Sequence, residues 1–208
     1  MGMEREIKLA LPAAQVSAAT QWFVARTGEE GRPVKLVNIY FDTPELALAE
    51  SKSALRLRQT PDGWLQTFKT VGNAKNGLHS RHEWEMPVAG AKLEIDALLR
   101  ECDEPDAAQA LRQAAPALIE LFRTNFIRTL WQIEANDAEI EAAIDQGDVL
   151  ADVEGESRRA PISEVELELK SGDEAALHAL AAELGQQIVG LAPDNFSKAQ
   201  RGYQLRAG

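Results

Sequence analysis

The sequence predicts an α+β protein, an antiparallel β-sheet closed into a tunnel that is charged inside, apolar outside and jacketed by helices. Three observations lead there. Several segments alternate charged and apolar residues with the period of a strand. In the first of them Glu4, Glu6 and Lys8 share one face, and Arg5 and Ile7 the other. Between such segments lie stretches with apolar residues at helical spacing, whose stripes must pack on something. The rows of charge also differ in sign in an ordered way. They are cationic on the central strands and acidic on the first, the seventh and the last.

The residues alone admit a second arrangement, an open antiparallel sheet with one wet face and one face covered by helices. Two features favour closure. The signs of the rows change consistently around the chain, and a wet face has no need of arginine at paired positions where lysine or threonine would serve. Burying this many charges is tolerable only if they pair, hydrate or bind a counter-charged ligand. A closed sheet would set an acidic row, suited to a hard divalent cation, opposite an arginine-rich row. A metal-polyphosphate requires both.

The chain has 208 residues, 45% hydrophobic and 26% charged, an ordinary globular composition. It reads as one domain over 1–208 with a helical insertion at about 93–121. The net charge of −11 argues against a nucleic-acid or anionic-membrane partner, since both need a positive field. A small polyanion in a locally basic cavity stays compatible with it. One cysteine, Cys102, excludes an internal disulfide and fits a reducing, cytoplasmic setting. The N-terminus carries charge where a secretory leader would be apolar.

In order, Pro12 to Thr27 reads as a helix with Val16, Ala19 and Phe23 on one stripe, ended at Gly28. Val34 to Asp42 is rich in β-formers and stops at Thr43-Pro44. Glu45 to Lys52 is a connector. Ser53 to Thr60 puts Arg56 and Arg58 opposite Leu55 and Leu57, and Pro61-Asp62-Gly63 turns it into Trp64 to Val71, which carries Lys69. Gly72 to Ser80 reads as a mobile loop. Arg81 to Val88 sets Arg81, Glu83 and Glu85 on one face and His82, Trp84 and Met86 on the other. His82 thus has the wrong parity for a site and His79 stands at a loop edge, so neither is assigned a role. Two short helices divided near Pro105 follow. Phe122 to Glu134 is a long strand carrying Arg128, and Asn136-Asp137 turns it into Ala138 to Gln146, which carries Asp145. Gly147-Asp148 reads as a turn or bulge, with Val149 to Arg158 a further short strand and loop. Pro161 to Ser171 mirrors the opening, with Glu164, Glu166, Glu168 and Lys170 on one face. Asp173 caps a helix through Gln187, and Asn195 to Tyr203 is a short basic helix. Tyr40 and Tyr203 find no clear place.

The ordered set Glu4-x-Glu6-x-Lys8, Tyr40-Phe41-Asp42-Thr43, Leu55-Arg56-Leu57-Arg58, Phe68-Lys69, Arg81-x-Glu83-x-Glu85, Thr124-x-Phe126-x-Arg128, Asp145-x-Gly147, Glu164-x-Glu166-x-Glu168 and Ser197-Lys198-x-x-Arg201-Gly202-Tyr203 resembles the CYTH superfamily, the triphosphate tunnel metalloenzymes. It is most similar to the bacterial inorganic triphosphatases. The resemblance implies an eight-stranded antiparallel barrel that hydrolyses a linear triphosphate with Mg²⁺ or Mn²⁺. By position, Glu4, Glu6, Asp145, Glu164, Glu166 and Glu168 would hold metal. Lys8, Arg56, Arg58, Lys69, Arg81, Arg128 and Lys198 would contact phosphates. Lys8, Glu83 and Glu85 would serve the chemistry, the two glutamates by orienting arginines or a water. Adenylate cyclase, thiamine or nucleoside triphosphatase, and a non-catalytic polyphosphate-binding module are the other activities that the resemblance leaves open. A C-terminal helical CHAD domain is the partner that it implies for a full-length protein.

Overall fold

The computed structural model of the chain describes residues 2–208. Strand β1 is Gly2–Ala10. A 3-10 turn, Ala13–Gln15, leads into helix α1, Val16–Thr27, whose end is a left-handed Gly28 with φ 74°. β2 is Arg32–Asp42. The expected connector after it contains a short helix, α2, Ala47–Glu50. The buried Asp42 carboxylate organises that turn. Its Oδ1 accepts from the Thr43 and Leu48 amides, both at 2.7 Å, and its Oδ2 from the Ala49 amide at 2.9 Å.

β3, Ser53–Thr60, and β4, Gly63–Thr70, form the expected hairpin. The segment read as a loop, 72–80, is instead a second hairpin. β5, Asn73–Lys75, pairs with the start of β6, Leu78–Val88, around Asn76-Gly77. Asn-Gly is a strong hairpin turn signal, but β5 is three exposed residues, too short for alternation to mark a strand. Helices α3, Ile95–Glu101, and α4, Pro105–Ala114, follow as expected.

β7, Ile119–Ala135, and β8, Ala138–Val153, are joined through Asn136 and Asp137, with φ of 50° and 59°. β8 runs straight through Gly147, where the sequence suggested a turn. A Cβ on that glycine would lie 2.1 Å from the Asn125 carbonyl oxygen and 2.5 Å from Phe126 Cα. The residue is glycine because β7 passes close by. The expected extra strand at 149–158 is shared between the end of β8 and the start of β9, Glu156–Ser171. Asp173 caps α5, Glu174–Gln187, through a bond to the Ala175 amide. A two-residue strand, β10, Ala192–Pro193, precedes α6, Lys198–Ala207, which opens with a Ser197/Gln200 capping box.

The strands pair in the order β1–β9–β8–β7–β2–β3–β4–β6, all antiparallel, and β6 pairs back onto β1 through Glu4↔Arg81 and Glu6↔His79. The sheet is therefore a closed eight-stranded barrel, with β5 and β10 as short appended edges. Closure fixes which parity is inside. Outside, α1 and α5 cover β1, β7, β8 and β9 with Phe23, Leu177, Leu180 and Leu184, and Phe23 stacks on Trp131 at 4.9 Å. α2, α3 and α4 cover β3, β4 and β6 around Leu48, Phe68, Trp84, Leu98 and Leu111. A further apolar cluster, with Tyr40, Phe122, Phe126 and Ile162, takes the packing of Ala199, Tyr203 and Leu205 from α6. α6 thereby carries Lys198 into the barrel.

Candidate active site

A cavity of about 970 Å³ runs through the barrel, and the predicted charged rows line it. Side-chain alternation on every strand sends Glu4, Glu6 and Lys8, Arg56 and Arg58, Lys69, Arg81, Glu83 and Glu85, Arg128 and Glu166 to that cavity. Asp145 and Glu164 are fully buried in its wall.

The charges form two groups. On the β1, β4 and β6 side, Arg81 donates to Glu4 Oε2 at 2.5 Å and to Glu6 Oε1 at 2.7 Å. Lys69 Nζ lies 3.2 Å from Glu4 Oε1 and 2.5 Å from Glu83 Oε2. Burial disfavours the Glu4 carboxylate, but Lys69 and Arg81 outweigh it and hold the group below the usual range. Glu83 moves the other way. Burial raises it and the neighbouring Glu4 adds to the shift.

On the β7, β8 and β9 side, Asp145, Glu164 and Glu166 each offer an oxygen within 4.8 Å of the others. Arg128 grips Asp145 through two bonds and reaches Glu166 as well. Lys8 Nζ stands 3.3 Å from Glu164 Oε1 and 2.9 Å from Glu166 Oε1. Lys198 Nζ contacts all three carboxylates. Burial alone would depress the Lys8 ammonium, yet Glu164, Glu166 and Glu6 raise it above its ordinary value. The Glu166 carboxyl is held well below its usual range by Lys198, Lys8 and Arg128 against the cost of burial. Glu164 Oε2 is buried without a hydrogen bond; Arg201 Nη2 lies 2.9 Å away but is not aligned to donate.

β3 presents a different surface. Arg56 Nη2 donates to Thr67 Oγ1 at 3.0 Å and Glu85 Oε2 at 3.1 Å, while its Nε is buried and unpartnered. Arg58 makes no ion pair among the described residues. Its Nε donates to Asn38 Oδ1 at 2.8 Å. Enclosure, with Arg56 and Arg128 as like-charged neighbours, pushes the Arg58 guanidinium down to about 10. Of the two arginines on this wall, Arg56 is thus paired with a carboxylate and Arg58 is not.

Most predicted residues are thus brought together. Glu168 is the outlier. It faces the cavity but pairs with Lys170 at 2.8 Å and stands apart from the buried triad. Glu83 pairs with Lys69 and Glu85 with Arg56. Asn38, Thr67 and Tyr40 were missed. Asn38 and Tyr40 share the inner face of β2 with Leu36, so a buried polar residue in line with apolar ones was the available signal. Tyr40 stacks on Phe122 at 4.7 Å, and Tyr203 donates to Asp42 Oδ2 at 2.9 Å. His79, expected at a loop edge, is buried on β6 with Arg81 and bonds the Asp194 carbonyl oxygen at 2.9 Å. His82 lies outside, 3.6 Å from Glu104, as its parity required.

A closed barrel with acidic and cationic walls facing one cavity defines the class of tunnel proteins. The CYTH domain family matches residues 2–203, and the chain belongs to that family. It is 34% identical over 206 residues to the inorganic triphosphatase of Haemophilus influenzae, covering 99% of this chain and 55% of that protein. The chain therefore spans about half the length of that relative. Among solved structures, a proposed adenylyl cyclase from Hippeastrum with a dominant triphosphatase activity has a TM-score of 0.65 at 18% identity, covering 97% of this chain and 95% of the other. The PH1819 protein of Pyrococcus horikoshii OT3 has a TM-score of 0.60 at 15% identity, covering 96% and 98%. These two share the fold.

Proposed function

We propose that the protein hydrolyses inorganic triphosphate to pyrophosphate and phosphate with Mg²⁺ or Mn²⁺ bound in the barrel. One observation carries the reading. A buried carboxylate triad, Asp145, Glu164 and Glu166, sits in the wall of the cavity and lines it through Glu166, and Arg56 and Arg58 line the same cavity, Arg58 without an ion pair among the described residues. The 34% identity to an inorganic triphosphatase supports it.

The donor set fits a hard divalent cation. It is all carboxylate oxygen and closely spaced. Asp145, Glu164 and Glu166 would hold the ion, with Glu4 and Glu6 on the neighbouring strand β1, and Glu168 opposite Glu6 in register, completing the acidic lining. Such an ion neutralises phosphate charge and lowers the pKa of a bound water.

The chain's own residues do the rest. Arg56 and Arg58 stand two residues apart on one strand face and grip adjacent phosphates. Lys8, Lys69, Arg81, Arg128 and Lys198 surround the remaining oxygens. Each is held in place by a carboxylate, so little reorganisation is needed as charge shifts to the leaving group. Water bonds to a terminal phosphorus, the bridging P–O bond breaks, and pyrophosphate leaves with the electron pair while the proton passes to solvent. A cytoplasmic location belongs to the same proposal, supported by the lone Cys102.

The test is a phosphate-release panel of triphosphate, ATP, thiamine triphosphate and long polyphosphate, with Mg²⁺, with Mn²⁺ and with chelator. Triphosphate should be hydrolysed only with metal. Full activity in excess chelator, or no release from triphosphate under any condition, rejects the reading.

A further inference from the structure

Lys198 is held as a metal ion would be held. Its Nζ is 2.6 Å from Asp145 Oδ2, 2.9 Å from Glu166 Oε1, and bonded to Glu164 Oε1. Three N–H donors meet three carboxylates, so the ammonium is saturated. Those three residues are also the ones whose oxygens cluster within 4.8 Å. A divalent cation binds such oxygens at about 2.0–2.6 Å, in the space that Nζ fills. The two cations exclude one another.

We propose that Lys198 is an internal counter-cation that a divalent metal must displace from the triad, coupling metal loading to the position of this one side chain. The proposal rests on the metal-dependent reading in that the ion takes the triad oxygens. The helix itself is fixed. Tyr203 is tied to Asp42. A Cβ on Gly202 would lie 2.0 Å from the Phe122 ring. Arg158 Nη1 donates to the carbonyls of Leu205 and Arg206 at 3.1 and 2.9 Å. Lys8 holds the same two oxygens, Glu164 Oε1 and Glu166 Oε1, from strand β1 at 3.3 and 2.9 Å. The flexible lysine stem is therefore the part that moves. It has the cavity to enter, along the Phe126 ring, whose centroid is 4.8 Å from Nζ. There the ammonium meets the oxygens of a bound polyphosphate in place of the carboxylates. Metal alone then binds weakly, and polyphosphate and metal assist one another by reciprocal linkage.

The test uses Mn²⁺ alone, without substrate, titrated calorimetrically and by electron paramagnetic resonance into the wild type, Lys198→Met and Lys198→Gln. Both variants should bind Mn²⁺ at least tenfold more tightly than the wild type, about 1.4 kcal/mol. Without metal they should melt below the wild type, and Mn²⁺ should raise their Tm more than it raises the wild type's. Equal Mn²⁺ affinity in all three proteins overturns the proposal. The wild type gives a second reading if a variant does not fold. Acetylation of Lys198, followed by mass spectrometry, should accelerate severalfold at saturating Mn²⁺, and an unchanged rate overturns the proposal. Triphosphate hydrolysis that needs metal, together with equal affinities, defeats this inference alone. Absence of both Mn²⁺ binding and hydrolysis defeats the metal-dependent reading with it.

Discussion

Arg128 on β7 and Asp145 on β8 stand opposite one another in register and are joined by two parallel hydrogen bonds, Nε to Oδ1 at 2.8 Å and Nη2 to Oδ2 at 2.6 Å. The fork geometry is the strong form of an ion pair. Asp145 is fully buried, so its charge is tolerated only while Arg128 and Lys198 stay beside it. Removing one partner of a buried pair costs about 3–5 kcal/mol. Arg128→Ala should therefore lose about 3 kcal/mol or more in urea unfolding, with a Tm lower by about 6 °C or more. Arg128→Lys should recover only part, because lysine cannot make both bonds. A loss under about 1 kcal/mol for Arg128→Ala would show that the pair does not hold this wall of the barrel.

Arg56 and Arg58 should separate in stability while agreeing in binding. Arg56 pairs with Glu85 and Thr67, whereas Arg58 is hydrogen-bonded to Asn38, and burial and two repelling guanidiniums outweigh the attraction of Glu85. Arg56→Ala should destabilise the fold by about 1–3 kcal/mol. Arg58→Gln should be neutral or stabilising. Both should raise KM for triphosphate about tenfold or more, or lower kcat if the contact tightens in the transition state. Normal kinetics in both variants would make this face an ordinary polar lining.

Stability should depend on pH at both extremes. Asp145, Glu166 and Glu4 are depressed in the folded state by the cations around them. Their contribution is present above the unfolded carboxylate values, about 4, and is lost as pH falls through the lower folded values. Lys8 and Lys198 are raised, because their carboxylate partners outweigh burial. Their contribution is present below about 10.4 and is lost as pH rises through the higher folded values. Glu83 and Glu168, raised chiefly by burial, run the other way and blunt the acid limb. His79, lowered chiefly by burial, adds a loss of stability as pH falls below about 6.5, so thermal melts in chelator should be flat from about pH 7 to 9 and fall on either side. A stability maximum below about pH 4 would contradict these pairings.

Substrate size follows from what the two tyrosines do. A nucleoside would have to protrude from the cavity and stack on an aromatic ring. Tyr40 is instead buried against Phe122, and Tyr203 packs edge-on to Phe122 while bonded to Asp42. Neither ring is free for a base. Inorganic triphosphate should be used with a kcat/KM at least tenfold above that of ATP, about 1.4 kcal/mol in transition-state binding. Equal use of ATP, or cyclic AMP as product, moves the assignment to a nucleotide enzyme.

The sequence by itself determined the parity of each strand, because side-chain alternation is a local property of the backbone. Glu4, Glu6 and Lys8, Arg56 and Arg58, and Glu164 and Glu166 could therefore be assigned to one interior before any pairing was known. Caps and turns were equally local, as Asp173 and Asn136-Asp137 show. Which charge meets which was decided only by the tertiary structure. That Arg81 is shared by Glu4 and Glu6, that Arg58 makes no ion pair among the described residues, and that Lys198 fills the Asp145–Glu164–Glu166 triad depend on contacts between distant residues. Gly147 shows the same limit in the backbone. Its meaning lay in how close β7 runs beside it, a packing distance that no local signal carries. His79 and Tyr40 were hidden for the same reason. A hairpin mistaken for a loop concealed the parity of the first, and the second depends on stacking with Phe122, 82 positions along the chain. Local alternation fixes which way a side chain faces, and closure of the barrel decides what it finds there.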